Sequence, residues 1–210
     1  MAVLRVDASI QGPQSASSAL ADVVVAQLTA GRPDETIVSR HLGTDPLPAD
    51  AWATAVGAAW TPEDRRTAAQ VEAATLATTV SDELRAADAA VLALPLYNWG
   101  VSQHVKTWID LAIAGGRPGE PLLAGKPTVL ITTRGGAYGP GTPKEGWDHS
   151  IDYLRRIVGD VWNADLTVIE REFTLVGVNP ALDEFQEVAE LMKKQADEEA
   201  AAAGRALATR

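Results

Sequence analysis

Apolar and polar positions follow two different periods along this chain. Residues 2–6 (AVLRV) and 88–94 (DAAVLAL) are short, nearly continuous apolar runs, the pattern of strands covered on both faces. Residues 127–133 (PTVLITT) and 164–173 repeat that pattern, and residues 35–40 (ETIVSR) read as a partly exposed strand. Between these runs the spacing becomes helical. Leu20, Val24 and Leu28 recur on one side of a helix opening near Ser17, and Val105, Trp108, Ile109 and Ala112 share a face over residues 101–114. The "TPED" at residues 61–64 supplies an N-cap, a proline at the first helical position and acids in the first turn, so a helix is predicted from there to Ala86. Another is expected from about Trp147 to Val158. Asn179 and Pro180 make a turn, and a closing helix is expected from near Ala181 almost to the last residue.

Five strands alternating with helices specify an α/β fold: a doubly wound, five-stranded parallel sheet with helices on both faces. Ligands of such sheets bind beyond the carboxyl ends of the strands, where the winding reverses. The loops after the first, third and fourth strands therefore carry the search for chemistry.

Composition narrows the classes. A chain of 210 residues suits one domain, and repeats and low-complexity linkers are absent. There is no cysteine, which excludes disulfides, thiolate metal sites and cysteine nucleophiles together. The opening residues lack a basic stretch followed by an apolar one, and no apolar run approaches the ~20 residues of a membrane span. Cytoplasmic residence without a membrane partner is the expectation. A net charge of −10 argues against nucleic acid, which selects a basic face. It leaves small anions open, because backbone N–H groups and one arginine suffice to hold a phosphate. His41, His104 and His149 are scattered without metal-ligand spacing, so no metal is expected. Asp82, Glu83 and Asp88, like Glu184, Glu187 and Glu190, are read as solvated charges.

The first loop, DASIQGPQSASSAL, gathers Ser9, Ser15, Ser17 and Ser18 around a helix start, where hydroxyls and unpaired amides suit an anion. Neither G-x-G-x-x-G nor GK[ST] is present, so the dinucleotide fingerprint and the triphosphate P-loop are both missing. The second loop places Leu96, Tyr97, Asn98 and Trp99 at a strand end, with Gly100 to turn the backbone and Ser102 to cap the next helix. Flat aromatic groups flanking an amide suit a flat heterocycle with polar edges. In the third loop, TTRGGAYGPG, Gly135 and Gly136 allow close backbone approach and Arg134 offers charge. Each feature alone has an ordinary structural explanation, but all three loops belong to one edge of the sheet.

The serine spacing S(x)5SxS, the PLYNW turn and the RGG loop together resemble the FMN-dependent NADH azoreductases, which also act as quinone reductases within the flavodoxin-like superfamily. The likeness extends over nearly the whole chain, including the "TP" of the middle helix and "LLAGK" before the fourth strand. It implies a flavodoxin-like fold and FMN held at twelve positions. Ser9, Ser15, Ala16 and Ser17 would hold the phosphate; Leu96, Tyr97, Asn98 and Trp99 would wall the isoalloxazine; Thr133, Arg134, Gly135 and Gly136 would line its pyrimidine side. It further implies NADH or NADPH as donor, a quinone or aromatic azo compound as acceptor, ping-pong hydride transfer through one shared pocket, and a homodimer with the flavin beside the interface. Trp52 and Trp60 are expected at that interface or on a pocket lid. No catalytic acid or base is assigned, and water or Tyr138 remain as proton sources. Two departures from the family pattern stand out: Ala16 replaces a commoner polar residue, and AGGRPGEPLLAGK abbreviates a longer aromatic-bearing segment that would wall the substrate pocket. Two rival readings follow from the same residues. A flavodoxin-like FMN electron carrier would turn over no quinone without a reductase partner, and a flavin-free family member would be colourless.

Overall fold

The computed structural model describes residues 2–210. The five apolar runs form strands β1 (Ala2–Asp7), β2 (Thr36–His41), β3 (Ala89–Ala93), β4 (Pro127–Thr133) and β5 (Asp165–Arg171). They pair as one parallel sheet in the order β2-β1-β3-β4-β5, so the winding reverses between β1 and β3. The doubly wound prediction holds. β3 is buried throughout and β2 is an exposed edge, which accounts for the contrast between DAAVLAL and ETIVSR.

Among the described residues there are six helices, α1 (Ala16–Gly31), α2 (Ala51–Ala59), α3 (Ala68–Ala86), α4 (Gln103–Gly115), α5 (Ile151–Leu154) and α6 (Gln186–Ala208); α1 and α6 cover one face, α3, α4 and α5 the other, and α2 packs on α3 and α4. The two-residue strand period decides which side chain meets which layer. Val3, Val91, Val129 and Ile131 face α1 and α6, meeting Leu20, Val24, Leu28, Ala196 and Ala200. Leu4, Val6, Leu92 and Leu130 face the other way, toward Val80, Leu84, Trp108 and Trp162. Trp108 and Trp162 meet edge to face, with centroids 5.4 Å apart and planes at 89°. That geometry sets a positive ring edge against a π face. No helix is long and apolar enough to cross a membrane among the described residues.

Among the boundaries that differ from expectation, four helix starts have a local reason. The first helix begins at Ala16, because Ser15 accepts from the Ser18 N–H and is the true N-cap. The helix ending at Ala86 starts at Ala68, not at "TPED": Thr67 and Gln70 exchange side-chain and backbone hydrogen bonds in a capping box, while Thr61 donates back to the Gly57 carbonyl. Pro62 opens only a single 3₁₀ turn, Glu63–Arg65. The preceding alanine-rich stretch is the separate helix α2, whose Ala51, Ala55 and Ala58 are buried at four- and three-residue spacing. The helix expected from Trp147 starts at Ile151 and widens into a π-helical turn over Arg155–Val161, closed by the Trp162 N–H donating to the Ile157 carbonyl at 2.8 Å. The closing helix opens as a 3₁₀ turn, Pro180–Phe185, before α6. Glu83 also departs from its solvated reading, since it receives both Nε and Nη2 of Arg40, at 2.8 and 2.5 Å.

Candidate active site

β1, β3 and β4 are neighbours in the sheet, so their carboxyl ends bring the three loops side by side. Three hydrogen bonds tie them together. The Tyr97 hydroxyl lies 3.2 Å from Ser9 Oγ and accepts from the Ile10 N–H at 3.1 Å, joining the second loop to the first. The Leu96 N–H donates to the Thr133 carbonyl at 3.0 Å, joining the second to the third.

The serine loop forms a cradle. Ser9, Ser15 and Ser17 are buried, and Ser15 Oγ lies 3.2 Å from Ser17 Oγ. Ser15 also accepts from the Ser18 N–H, which leaves the N–H groups of Ala16 and Ser17, among the described residues, with no protein acceptor. A sixteen-residue helix points its positive end at this spot. Two free amides flanked by hydroxyls fit a phosphate group. Ala16 contributes its backbone here, so its lack of a polar side chain costs little.

The Tyr97–Gly100 stretch is a two-residue hairpin turn. Tyr97 and Gly100 exchange backbone hydrogen bonds of 3.2 and 3.0 Å, with Asn98 at φ 47° and Trp99 at φ 63° between them. Two positive angles in succession define a type I′ turn, for which glycine is the usual second residue. Tryptophan in that place costs roughly 1–3 kcal/mol of strain. The strain holds the Trp99 ring outward, 47% exposed, at the rim. Beside it lies an open cavity of about 350 Å³ lined by Asn98, Trp99, Trp147 and His149. Trp147 stands edge-on to Trp99 at 6.1 Å, and the His149 N–H donates to the Trp99 carbonyl at 2.9 Å. Sequence reasoning missed Trp147 and set His149 aside. They lie in an irregular stretch with no periodicity, and meet the turn through that backbone bond and the ring contact.

The glycine loop packs against residues 173–175. The Gly136 and Gly135 carbonyls accept from the Phe173 and Leu175 N–H groups at 3.3 and 3.1 Å. Gly136 is buried, and its own N–H has no acceptor among the described residues, as an N–H awaiting a ligand would. Arg134 is already engaged within the protein. Its guanidinium contacts Asp148 at 2.6 Å, Glu170 at 2.7 Å and Glu172 at 3.5 Å, so its charge is neutralised within the protein. Burial works against that charge, while Asp148 and Glu170 outweigh it and raise the pKa. What the loop leaves open is the Gly136 N–H, the Arg134 charge being met by acids. Burial, reinforced by Asp148, pushes the Tyr138 hydroxyl up.

Two further expectations resolve. The abbreviated segment between α4 and β4 lies at the opposite edge of the sheet: Glu120 pairs with Arg85 at 2.8 Å, and Lys126 donates to the Leu84 and Arg85 carbonyls that end α3. It builds no wall of the cavity beside Trp99. Trp52 and Trp60 are also clear of that cavity; Trp52 lies under Lys106 Nζ at 6.0 Å, and Trp60 is 86% exposed. A second cavity of about 350 Å³ opens at the amino edge between β1, β2 and α3, but its walls are mostly aliphatic and its acids Asp82 and Glu83 are paired with arginines.

Residues 1–198 match the model of a protein family described as having a flavodoxin-like fold. A protein of Frankia alni named FMN-dependent NADH:quinone oxidoreductase is 39% identical over 193 residues, covering 90% of this chain and 91% of that one. A Streptomyces avermitilis protein of the same name is 32% identical, covering 99% and 97%. Among solved structures, an azoreductase from Bacillus anthracis superposes with a TM-score of 0.76 at 22% identity, covering 98% of this chain and 99% of that one. An FMN-dependent NADH-azoreductase from the same species, in complex with FMN, gives 0.73 at 17%, covering 96% and 97%. At those identities the structural likeness speaks for the fold alone.

Proposed function

Since this chain belongs to the flavodoxin-like-fold family whose model it matches, and to the branch of FMN-dependent NADH:quinone oxidoreductases, we propose that its single 210-residue unit is an FMN-dependent NADH oxidoreductase that reduces quinones and aromatic azo compounds at the three joined loops. Bound FMN supplies the hydride relay from NADH to the acceptor. The chain supplies grip, orientation and exclusion of water.

The observation that carries this reading is the junction of the loops through Tyr97–Ser9 and Leu96–Thr133. It supports the reading by bringing a serine cradle, an aromatic rim and the unpaired Gly136 N–H to one edge. Ser9, Ser15, Ala16 and Ser17 hold the phosphate; Leu96, Tyr97, Asn98 and Trp99 wall the ring; Thr133, Gly135 and Gly136 line its pyrimidine side through their backbone, with Arg134 behind them. Magnitudes support a shared grip. Micromolar retention corresponds to about −8 kcal/mol, a helix N-terminus supplies at most about 2 kcal/mol toward an anion, and removing ~200 Å² of apolar ring from water supplies about 5 kcal/mol. Neither end suffices alone. The cavity beside Trp99 favours a reductase over a pure electron carrier, which needs no room for an acceptor.

In the same reading the protein is a cytoplasmic homodimer. Trp52, Val56 and Trp60, exposed along and just beyond α2, are the apolar surface for a second copy. Sedimentation at micromolar concentration is expected to return twice the 22.1 kDa chain mass.

The decisive experiment is spectroscopic. The purified protein should be yellow, bleach on anaerobic addition of NADH, and regain its colour with a quinone. Ser17→Ala and Asn98→Ala should each release flavin more readily, Ser17→Ala by roughly tenfold to a hundredfold, since a hydrogen bond to a charged group is worth about 1.5–3 kcal/mol. A flavin-loaded protein that never bleaches, or two variants that retain colour as well as the wild type, would refute the assignment.

A further inference from the structure

A relay of short contacts runs from behind the glycine loop to the aromatic rim. Arg134 Nε donates to Asp148 Oδ2 at 2.6 Å. The other oxygen of Asp148 accepts from the Ser150 and Ile151 N–H groups, at 2.7 and 3.0 Å, fixing the start of α5. His149, between them, donates its N–H to the Trp99 carbonyl, and Trp147, on the other side of Asp148, sets its ring edge-on to Trp99. One carboxylate therefore holds both residues that face the strained turn. The side chains of Arg134 and Asp148 are only 7% and 9% exposed. There a planar guanidinium fixes direction as well as distance, and salt screens it little. Stability alone does not call for such a pair, since apolar residues of similar volume serve a core as well or better. A turn with two consecutive positive φ angles, in contrast, persists only when its surroundings over-determine it.

We propose that Arg134 is a positioning residue: acting through Asp148, it locks residues 147–149 against the Trp99 turn and so sets the aromatic wall that receives a flat acceptor such as a quinone. The inference rests on reading the cavity beside Trp99 as the acceptor pocket. It assigns to Arg134 an effect on acceptor recognition in place of the direct cofactor contact that the sequence suggests.

Two variants separate this role from simple support of the fold. Asp148→Asn keeps an oxygen for the Ser150 and Ile151 N–H groups but turns an N–H group toward Arg134. Arg134→Lys keeps positive charge beside Glu170 and Glu172 but loses the Nε contact. On purified flavin-loaded protein, three quantities are measured: KM and kcat for a soluble quinone, the FMN dissociation constant, and the circular-dichroism coupling of Trp99 with Trp147. The coupling is assigned by its loss in Trp99→Phe and Trp147→Phe. Both variants should raise the quinone KM roughly tenfold with kcat and FMN retention near wild type, and both should weaken the coupling. A folded Asp148→Asn protein with wild-type KM and wild-type coupling overturns the proposal. So does a loss confined to FMN retention, which would return Arg134 to the cofactor. Trp147→Ala tests the pocket separately. If that variant leaves the quinone KM unchanged, the cavity is not the acceptor's, while the coupling measured in Asp148→Asn still decides whether Arg134 holds the wall.

Discussion

Trp99 concentrates the conflict between stability and function in a single residue. Its φ of 63° suits glycine, yet a large ring is displayed there half exposed. Replacing it separates the two contributions. Trp99→Ala loses the edge contact with Trp147 and keeps the strained backbone, whereas Trp99→Gly loses the same contact and relieves the strain. Chemical denaturation should find Trp99→Gly the more stable of the two by about 1 kcal/mol. Quinone turnover should fall in both to a similar degree. Equal stability would mean that the turn carries no strain at this position. Arg134 shows the converse case, where residue type was legible and its protein partners were not. An arginine before two glycines reads as a ligand contact, but the acids that claim it, Asp148, Glu170 and Glu172, lie 14 to 38 residues further on and meet it only in the fold.

Between helices, close approach is set by absent side chains. A Cβ on Gly115 of α4 would lie 2.0 Å from the Ala77 carbonyl oxygen of α3, and one on Gly204 of α6 would lie 2.3 Å from that of Val24 on α1. Alanine raises intrinsic helix propensity by about 1 kcal/mol. Here it also forces two backbones apart, and that cost wins. Gly115→Ala and Gly204→Ala should each lower unfolding stability by about 2 kcal/mol or more, read from denaturant midpoints. A rise in midpoint would show that the helix pairs have room to separate. The same scale explains why "TPED" misled. Its composition is right for a helix start, but the reciprocal bonds of Thr67 and Gln70 make a stronger cap six residues later. Neither local signal shows which of them tertiary packing will select.

Across the whole molecule, ion pairs pin the two edges of the sheet. At the amino edge Arg85, with help from the Arg117 N–H, holds the Glu120 carboxyl at about 2, below its ordinary 4.5. The folded state thus binds that proton less readily than the unfolded chain. The resulting stabilisation is present above the ordinary carboxylate value and declines as pH falls from about 4.5 through about 2. Glu120→Gln should therefore be less stable than wild type at neutral pH, with the gap closing as the solution is acidified across that window. Thermal melts of both proteins across the acid range measure it. A gap that stayed constant would show that the link between α3 and the segment before β4 is not electrostatic.

The strand runs, the doubly wound topology and the three loops at one edge were legible in the sequence, because two-residue and 3.6-residue periods are local signals and a parallel sheet leaves few ways to connect them. The serine cradle was legible for the same reason, since an N-cap and its free amides lie within a few consecutive residues. The engagement of Arg134 and the arrival of Trp147 and His149 beside Trp99 were decided only by the tertiary structure. Each depends on contacts between residues whose nearness no period encodes, and on burial, which brings a charge against acids far away in the chain.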